Sequence, residues 1–309
     1  MDVLIPVMAA AVRSGTPILY ATLGEILTER SGVQNLGLEG LMLMGAFSGF
    51  SVTYSTGDPW LGVLPAFFVV VAISAVHAVL SVSVGANQVV SGLAVTMLGT
   101  GASSLLGRKM IGLTVKGFGK VPVPLLSEIP VAGPVLFDHD PLVYISYGLV
   151  LFLLWFIFRT RQGLNLRAVG ESPVVVDAMG LSAARLRYLY TMIGGGMAAV
   201  GGAYLSLAYT KMWGEGMSAG RGWIAVALVI FAVWHPARAV LGAYLFGGVG
   251  AMQLRIQAAG TSFPAPIMMM MPYLFTILVL LVISVKKGKG ILIDAPGALG
   301  VPYSREERT

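Results

Sequence analysis

Long runs of apolar residues follow one another along the 309-residue chain. A helix needs roughly 20 apolar residues to cross the hydrocarbon core of a bilayer, and most of these runs have about that length. The runs are continuous and do not alternate at every second position, which excludes transmembrane β-strands. The pattern therefore predicts an all-α, polytopic helix bundle with about eight or nine spans. The predicted segments are 3–24, 33–52, 61–84, 89–106, 141–158, 189–209, 223–235, 237–254 and 267–285.

Composition narrows the class of protein further. Charged residues make up 11% of the chain and hydrophobic residues 56%, and the mean hydropathy is +0.83. Because a soluble domain carries about 25% charged residues, we expect one transmembrane domain over 1–309 and no separate catalytic or nucleotide-binding domain. The chain contains no cysteine, which excludes disulfides, thiolate metal sites and cysteine nucleophiles.

The basic residues between the spans predict the orientation in the membrane. The larger share of them falls on one side if the C-terminus is cytoplasmic, so the positive-inside rule favours an outside N-terminus and a cytoplasmic C-terminus. We therefore attribute the net charge of +6 to orientation and expect no nucleic-acid partner. The first residues, Met1 to Val3, carry no basic charge, so we expect the first span to be retained and not cleaved as a signal peptide. The predicted cytoplasmic basic residues are Arg30, Arg159, Arg161, Arg167, Arg185, Arg187, Arg238, Lys286, Lys287, Lys289, Arg305 and Arg308.

Three regions outside the spans follow from this orientation. Residues 107–140, with several prolines, are predicted to form an irregular extracytoplasmic loop, and 286–309 a cytoplasmic tail. The cytoplasmic loop 159–188 has clearer local structure. Its Ser172 is a good N-cap, Pro173 suits the first helical position and Gly180 suits a left-handed C-cap, which predicts a helix of about two turns.

So short a helix is not stable alone in water and must pack against something. Val174, Val175 and Ala178 are available for a partner protein, or they pack back against the ends of this chain's own spans. The residues leave both alternatives open. Ser182 is placed to cap a further helix that runs through Arg185 and Arg187 into the sixth span.

The sequence carries few signs of catalytic chemistry. The nearest approach to a phosphate-binding loop spans 112–117, but Phe118 follows where lysine is required, so we expect no ATP site and no enzyme activity. His77, His139 and His235 stand far apart and do not have the spacing of metal ligands. We therefore expect a transport or scaffold protein without a metal or a cofactor.

Polar residues inside apolar segments are costly and therefore informative. Asn35 and Glu39 share a helix face if that stretch is helical; alternatively, Asn35 caps the second span and Glu39 favours the positive end of its dipole. Glycines in the second and sixth spans predict close helix packing with broken helices. The polar candidates are Arg13, Asn35, Glu39, His77, Asn87, Gln88 and Thr96, and the glycines are Gly45, Gly49, Gly194, Gly195, Gly196, Gly201 and Gly202.

Four stretches together resemble the branched-chain-type ABC importer permeases, in the subgroup that handles nucleosides and simple sugars. ERSGVQNLGLEGLMLMGA at 29–46 is similar to the opening signature of the subgroup, and NQVVSG at 87–92 to its next segment. RAVGESP at 167–173 resembles its cytoplasmic coupling loop, and GRGWIA at 220–225 its late signature. That late signature continues to Trp234-His235-Pro236, where His235 stands in place of the expected asparagine.

The resemblance implies a type II importer fold and a role as the permease subunit of an ATP-driven importer. Its implied partners are a second homologous permease, ATP-binding subunits, an extracytoplasmic substrate-binding lipoprotein and membrane lipid. It also favours the partner-docking alternative for the short helix and implies that longer relatives have an extra N-terminal span. The residues that we assign to ATPase coupling are Glu171, Ser172, Pro173, Val174, Val175, Ala178, Gly180 and Arg185.

Nucleosides and sugars are neutral and rich in hydroxyl groups, so their path needs uncharged hydrogen-bonding groups and space. We therefore assign Asn35, Glu39, Asn87 and Gln88 to the substrate path; the alternative is that they cap helix ends and join spans. A sugar or branched-chain amino acid is an alternative substrate. An ion-coupled secondary transporter is a weaker alternative, because Glu39 is the one firm intramembrane carboxylate that the sequence indicates.

Overall fold

The structure, a computed structural model, describes residues 4–258 and 295–304 and isolated positions between 260 and 281. Helices dominate these residues, and two short strands pair antiparallel at one end of the bundle. The helices are α1 (Leu4–Arg30), α2 (Leu38–Thr56), α3 (Pro59–Ala78), α4 (Gln88–Gly107), α5 (Ala132–Leu136), α6 (Pro141–Arg159), α7 (Arg161–Glu171), α8 (Pro173–Ala178), α9 (Ala183–Tyr204), α10 (Arg221–Phe231) and α11 (Pro236–Ala258), and the strands are β1 (Val121–Pro122) and β2 (Asp138–His139).

Six of the described helices are long and apolar enough to cross a membrane: α1, α3, α4, α6, α9 and α11. In this count α3 and α9 include the π-helical turns that extend them, Val79–Ser83 and Leu205–Tyr209. The helical, membrane-spanning class is thus supported, whereas the expected count of eight or nine spans is not confirmed. The predicted segment 267–285 falls mostly outside the described residues. Helix α2 lies among α3, α4, α9 and α10 and forms much of the interior of the bundle.

Helix α1 runs antiparallel to α9 and to α11, and these directions define two ends of the bundle. Gly24 of α1 packs on Gly194 of α9, and Gly15 of α1 packs on Ala243 of α11. The last turn of α1 therefore lies at the same end as the first turns of α9 and α11. We call this the arginine-rich end; its described arginines are Arg30, Arg159, Arg161, Arg167, Arg185, Arg187 and Arg238. The opposite end carries the first turn of α1 and the segment 107–140.

Glycines bring the central helices into backbone contact, as the sequence predicted. A Cβ atom on Gly45 would lie 2.4 Å from the carbonyl oxygen of Ala199, and one on Gly202 would lie 1.9 Å from that of Met42. No side chain fits at either position unless α2 and α9 move apart. The close packing of α2 and α9 therefore depends on these glycines.

Replacing Gly202 with alanine is expected to lower the melting temperature of the detergent-solubilised protein. The added methyl group would push α9 away from α2, and such overpacking costs about 1–3 kcal/mol. Gly101 in α4 is the matched control, because a Cβ atom there meets nothing within 4 Å. Gly101→Ala should leave the melting temperature unchanged or raise it slightly, since alanine favours helix more than glycine does. Equal melting temperatures for the two variants would contradict the packing argument.

The helix boundaries on either side of the α1–α2 connection differ from the predicted segments. Helix α1 continues past the predicted end at residue 24 as far as Arg30, and α2 begins at Leu38, later than the predicted start at residue 33. The sequence pattern ended the first segment where charged residues begin. In the structure Glu25 and Glu29 are buried inside the bundle, so the helix continues through them. Asn35 lies in the non-helical connection, so it does not share a helix face with Glu39.

The connecting segments have more structure than the apolar pattern alone shows. Segment 107–140 contains α5, the β1–β2 pair and irregular turns. In segment 159–188 the predicted helix is present as α8: Ser172 caps it, Pro173 occupies its first turn and Gly180 is left-handed with a φ of 84°. Ser182 caps α9 by accepting from the Arg185 amide at 3.3 Å, as predicted. Helix α7 was not predicted as a separate element. Of the tail 286–309, the structure describes 295–304.

Candidate functional site

The connection between α1 and α2 forms a buried turn inside the bundle. The backbone amide of Asn35 donates to Glu25 Oε1 at 2.9 Å, and Asn35 Oδ1 accepts from the Gly37 amide at 2.8 Å. The N-cap position of α2 is Gly37, so Asn35 closes the turn before the helix and does not cap it. Its amide nitrogen Nδ2 is buried and has no hydrogen-bond partner among the described residues.

Glu39, in the first turn of α2, binds the start of α10. Its Oε1 accepts from Ser218 Oγ at 2.5 Å and from the Gly220 amide at 2.8 Å, and its Oε2 accepts from the Gly222 amide at 2.7 Å. A carboxylate is favourable at a helix N-terminus, where backbone amides are otherwise unpaired. Glu39 therefore caps a helix that is distant in sequence and joins it to the first turn of α2.

This contact lies well inside the bundle. Gly40 packs directly on Thr96, which is about 12 Å along α4 from the first residue of that helix at the arginine-rich end. The chain reaches Glu39 from the opposite end through segment 210–220, in which the Trp213 ring packs edge-on against Phe47 with a centroid separation of 5.7 Å. Helix α10 thus starts within the bundle and is only 11 residues long. We name this contact the central junction, formed by Leu36–Gly40, Thr96 and Ser218–Gly222.

Asn87 and Gln88 lie at the arginine-rich end, away from the central junction. Asn87 caps α4 through a bond from the Val90 amide to its Oδ1 at 3.1 Å, and Gln88 Oε1 accepts from the Gln34 amide at 2.7 Å. Asn87 is exposed and Gln88 is buried. Both line a cavity of about 280 Å³ together with Gln34, Gly85, Val89, Gly300 and Pro302. Of the four residues assigned to the substrate path, Asn87 and Gln88 therefore line this cavity and Glu39 lies at the central junction. Asn35 lies between them, next to the Gln34 that bonds to Gln88.

Two buried carboxylates beside the junction were missed by the sequence analysis. Glu25 and Glu29 lie one helical turn apart on α1. Glu25 accepts from Asn35, and Glu29 Oε2 accepts from Trp234 Nε1 at 2.6 Å. Arg30 Nε donates to the Trp234 carbonyl oxygen at 2.8 Å. The sequence signal that could have found them is a pair of glutamates four residues apart, directly after the first predicted span. The partner of Glu29, however, lies 205 residues away in the sequence.

His235, which stands where the resemblance leads us to expect asparagine, lies in the turn between α10 and α11. Its ring stacks on Phe158 with a centroid separation of 5.2 Å, and the guanidinium groups of Arg30 and Arg167 lie over the same Phe158 ring. Burial, with the positive charges of Arg238 and Arg30, lowers the pKa of His235. The ring is therefore neutral at neutral pH, and His235 contributes packing rather than charge to this arginine cluster.

Helix α8 lies at the surface of the arginine-rich end, with one face packed inward and the other exposed. Val176 points inward and packs with Val169 of α7 and Ala183 of α9, and Tyr303 packs against the same cluster. Ser172 Oγ accepts from the Val175 amide at 3.5 Å at the start of the helix. The short helix is therefore held by its inner face, and its outer face is left for other contacts.

The outer face of α8 is apolar and exposed in the isolated chain. Val174 is 56% exposed and Val175 54%, and Ala178 is exposed beside them. Packing of these three side chains against the spans is therefore not observed within the described part of the chain. Glu171 and Arg185 are exposed at either side of the helix, and Glu171 Oε2 also accepts from the Gly297 amide at 3.2 Å. Valines so exposed at the membrane edge are an unfavourable surface unless a partner covers them.

The arrangement suits passage and docking better than catalysis. Among the described residues no group of three or more His, Cys, Asp or Glu side chains is placed to hold a metal ion. The groups near the junction and the cavity are mainly backbone amides and carboxamide side chains, which both donate and accept hydrogen bonds. Such groups can exchange bonds with a neutral polar solute as it moves past them.

Comparison with known proteins agrees with this architecture. Residues 7–283 match the family of the branched-chain amino acid transport system permease component. A Haloferax volcanii protein assigned provisionally as a glucose ABC transporter permease is 41% identical over 96% of this chain and 97% of its own length. The guanosine ABC transporter permease protein of Bacillus subtilis is 33% identical over 100% of this chain and 99% of its own length.

A solved structure shares the fold at low sequence identity. An inward-facing ABC transporter assigned provisionally to the metal-chelate type aligns with a TM-score of 0.51 and 15% identity, covering 90% of this chain and 86% of that one. The family match spans most of the chain, from the first turns of α1 past the end of α11. The chain therefore belongs to the permease components of the branched-chain amino acid transport system family, and it is a multi-pass membrane protein.

Proposed function

We propose that this chain is the membrane-spanning permease subunit of an ABC importer that moves a nucleoside or a related simple sugar across the cytoplasmic membrane. The observation that carries the proposal is the capped helix α8, which presents exposed valines at one end of a membrane-spanning permease. Relatives named for guanosine and glucose transport support the substrate class. Energy would come from separate ATP-binding subunits, and this chain would have no ATPase activity of its own.

The proposed assembly contains four kinds of subunit. ATP-binding subunits would dock on α8, with Glu171 and Arg185 making polar contacts at its edges and Ser172, Pro173 and Gly180 fixing its two ends. A second permease, most simply a homologous hetero-partner, would complete the substrate path. A substrate-binding lipoprotein would deliver the solute at the opposite end. In this orientation the arginine-rich end and the tail 286–309 are cytoplasmic, and the segment 107–140 and the N-terminus lie outside.

The substrate path is proposed to run past Asn35 and Glu39 at the central junction to Asn87 and Gln88 at the cavity. The spread of these residues from the junction to the cavity suits a path with several weak contacts better than one deep site. Because a binding protein captures the solute, the permease needs little affinity of its own. The competing reading is structural, since Glu39 caps α10 and Asn87 caps α4.

Two other functions remain as alternatives for testing. A branched-chain amino acid is a zwitterion, and the described groups at the junction and the cavity offer it few charged partners. An ion-coupled secondary transporter would use intramembrane carboxylates, and the structure adds Glu25 and Glu29 to Glu39. However, Glu39 already accepts hydrogen bonds from three donors at the start of α10, and Glu29 accepts one from Trp234.

Uptake into proteoliposomes distinguishes these functions. The chain should be reconstituted with its partner permease, ATP-binding subunits and binding protein, then offered labelled guanosine, glucose and leucine. We expect ATP-dependent uptake of guanosine or glucose, no uptake of leucine, and no effect of ionophores that collapse proton and sodium gradients. The purified chain alone should not hydrolyse ATP. Uptake without ATP that depends on an ion gradient would overturn the proposal.

A further inference from the structure

Residues 295–304 form a strap across the arginine-rich end. Its residues make hydrogen bonds to helices α7 and α8 and to the connection between α1 and α2. The Ala298 amide donates to the carbonyl oxygen of Gly170 at 2.8 Å, the Gly300 amide to that of Gly32 at 3.2 Å, and Tyr303 Oη to Asp177 Oδ2 at 2.8 Å. Gly170 lies in the last turn of α7 and Asp177 lies in α8, so the strap is bonded to both helices beneath the exposed valines.

A buried arginine fixes the strap from below. Arg187 in α9 is 1% exposed, and its guanidinium group donates to the carbonyl oxygens of Val301 at 3.1 Å and Ala298 at 3.4 Å. A buried guanidinium is costly unless acceptors surround it. The strap supplies two of these acceptors, so it is an integral part of this end of the bundle and not a loose tail.

The strap also borders the cavity that carries two of the proposed path residues. Pro302 lies against the turn between α3 and α4: a Cβ atom on Gly85 would be 3.8 Å from that of Pro302. Gly300 and Pro302 line the 280 Å³ cavity together with Asn87 and Gln88. The same ten residues thus contact α7, α8, the α1–α2 connection and the α3–α4 turn.

We propose that the strap is a positioning element that links helices α7 and α8 to the inner end of the substrate path. A movement of α7 and α8 would be passed through the strap to Gly32 and Gly85, because the strap is hydrogen-bonded to both helices and to Gly32, and its Pro302 lies against the turn that contains Gly85. The strap would thereby set the width of the cavity in step with the ATP-binding subunits. This inference rests on the proposed docking of those subunits at α8.

The variant Tyr303→Phe tests the strap with the loss of one hydroxyl group. It removes the bond to Asp177 and keeps the ring that packs beneath α8. We expect ATP-binding subunits to copurify and basal hydrolysis to continue, while the number of solute molecules imported per ATP hydrolysed falls about two- to tenfold, as the loss of one hydrogen bond implies. Tyr54→Phe, at the opposite end, is the matched control and should leave this ratio unchanged.

Two shortened chains provide a second test of the strap. A chain ending at residue 304 should import as the full chain does, whereas a chain ending at residue 294 should bind ATP-binding subunits and lose most of its uptake per ATP. Should the shorter chain fail to insert because Arg187 loses its acceptors, Tyr303→Phe decides alone. An unchanged ratio in Tyr303→Phe, or in an inserted chain ending at residue 294, overturns the strap inference. Failure of the full chain to bind ATP-binding subunits would instead overturn the proposed function.

Discussion

Val175→Pro is expected to abolish ATP-driven uptake while the chain still inserts in the membrane. Proline removes the Val175 amide that Ser172 caps, and it disfavours helical geometry at Val174. Loss of that cap costs about 0.5–2 kcal/mol, and the restriction at Val174 adds to it, which so short a helix cannot offset. The spans are untouched, so the measurement is copurification of ATP-binding subunits and substrate-stimulated ATP hydrolysis, both of which should fall about tenfold or more.

A charge on the outer face of α8 should give the same result without breaking the helix. Val175→Asp places a carboxylate where we propose an apolar contact, whereas Val175→Ala keeps both helix and face and should retain most of the binding. Ile129→Asp is the matched control, since Ile129 is 41% exposed at the opposite end of the bundle. Normal transport by Val175→Pro would mean that α8 is not the docking element.

Glu39→Leu is expected to prevent correct folding of the central junction. The substitution leaves Ser218 Oγ and the amides of Gly220 and Gly222 without their acceptor, away from water. Each unsatisfied buried donor costs about 1–3 kcal/mol, and the total approaches the free energy of unfolding of an ordinary protein. The amount of monodisperse chain recovered in detergent, and its melting temperature, should both fall sharply.

The conservative variant separates folding from transport. Glu39→Gln keeps one acceptor oxygen and should recover more protein than Glu39→Leu. If Glu39 lines the path, uptake per folded molecule should fall in this variant; if Glu39 only caps α10, that ratio should stay normal. Glu215→Leu is the control, because Glu215 is exposed in the same segment before α10. Full recovery and stability of Glu39→Leu would contradict the capping role.

Local signals in the sequence predicted the short helix α8 well. The ends of α8 are set by Ser172, Pro173 and Gly180, which are close in sequence and act on their own backbone, so the helix could be placed before the fold was known. Close packing of α2 and α9 was likewise foreseeable from glycine, which leaves no side chain between helices.

The central junction could not be predicted in the same way. Helix α10 begins where it does because Glu39 caps it from another part of the chain, and a hydropathy pattern contains no such information. The burial of Glu25 and Glu29 depends on Asn35 and Trp234, which the fold alone brings near. Apolar runs therefore located most of the membrane helices but not the breaks between them, where polar partners set the boundaries.

The two helix starts at the central junction have an electrostatic consequence. The N-termini of α2 and α10 both meet Glu39, and each helix start carries about half a positive elementary charge. Together they nearly balance the single negative charge of the carboxylate. The central junction by itself therefore offers no net charge to attract an ion, although it contains a glutamate. An ion would gain no electrostatic advantage from the Glu39 carboxylate, because the two helix starts already compensate its charge.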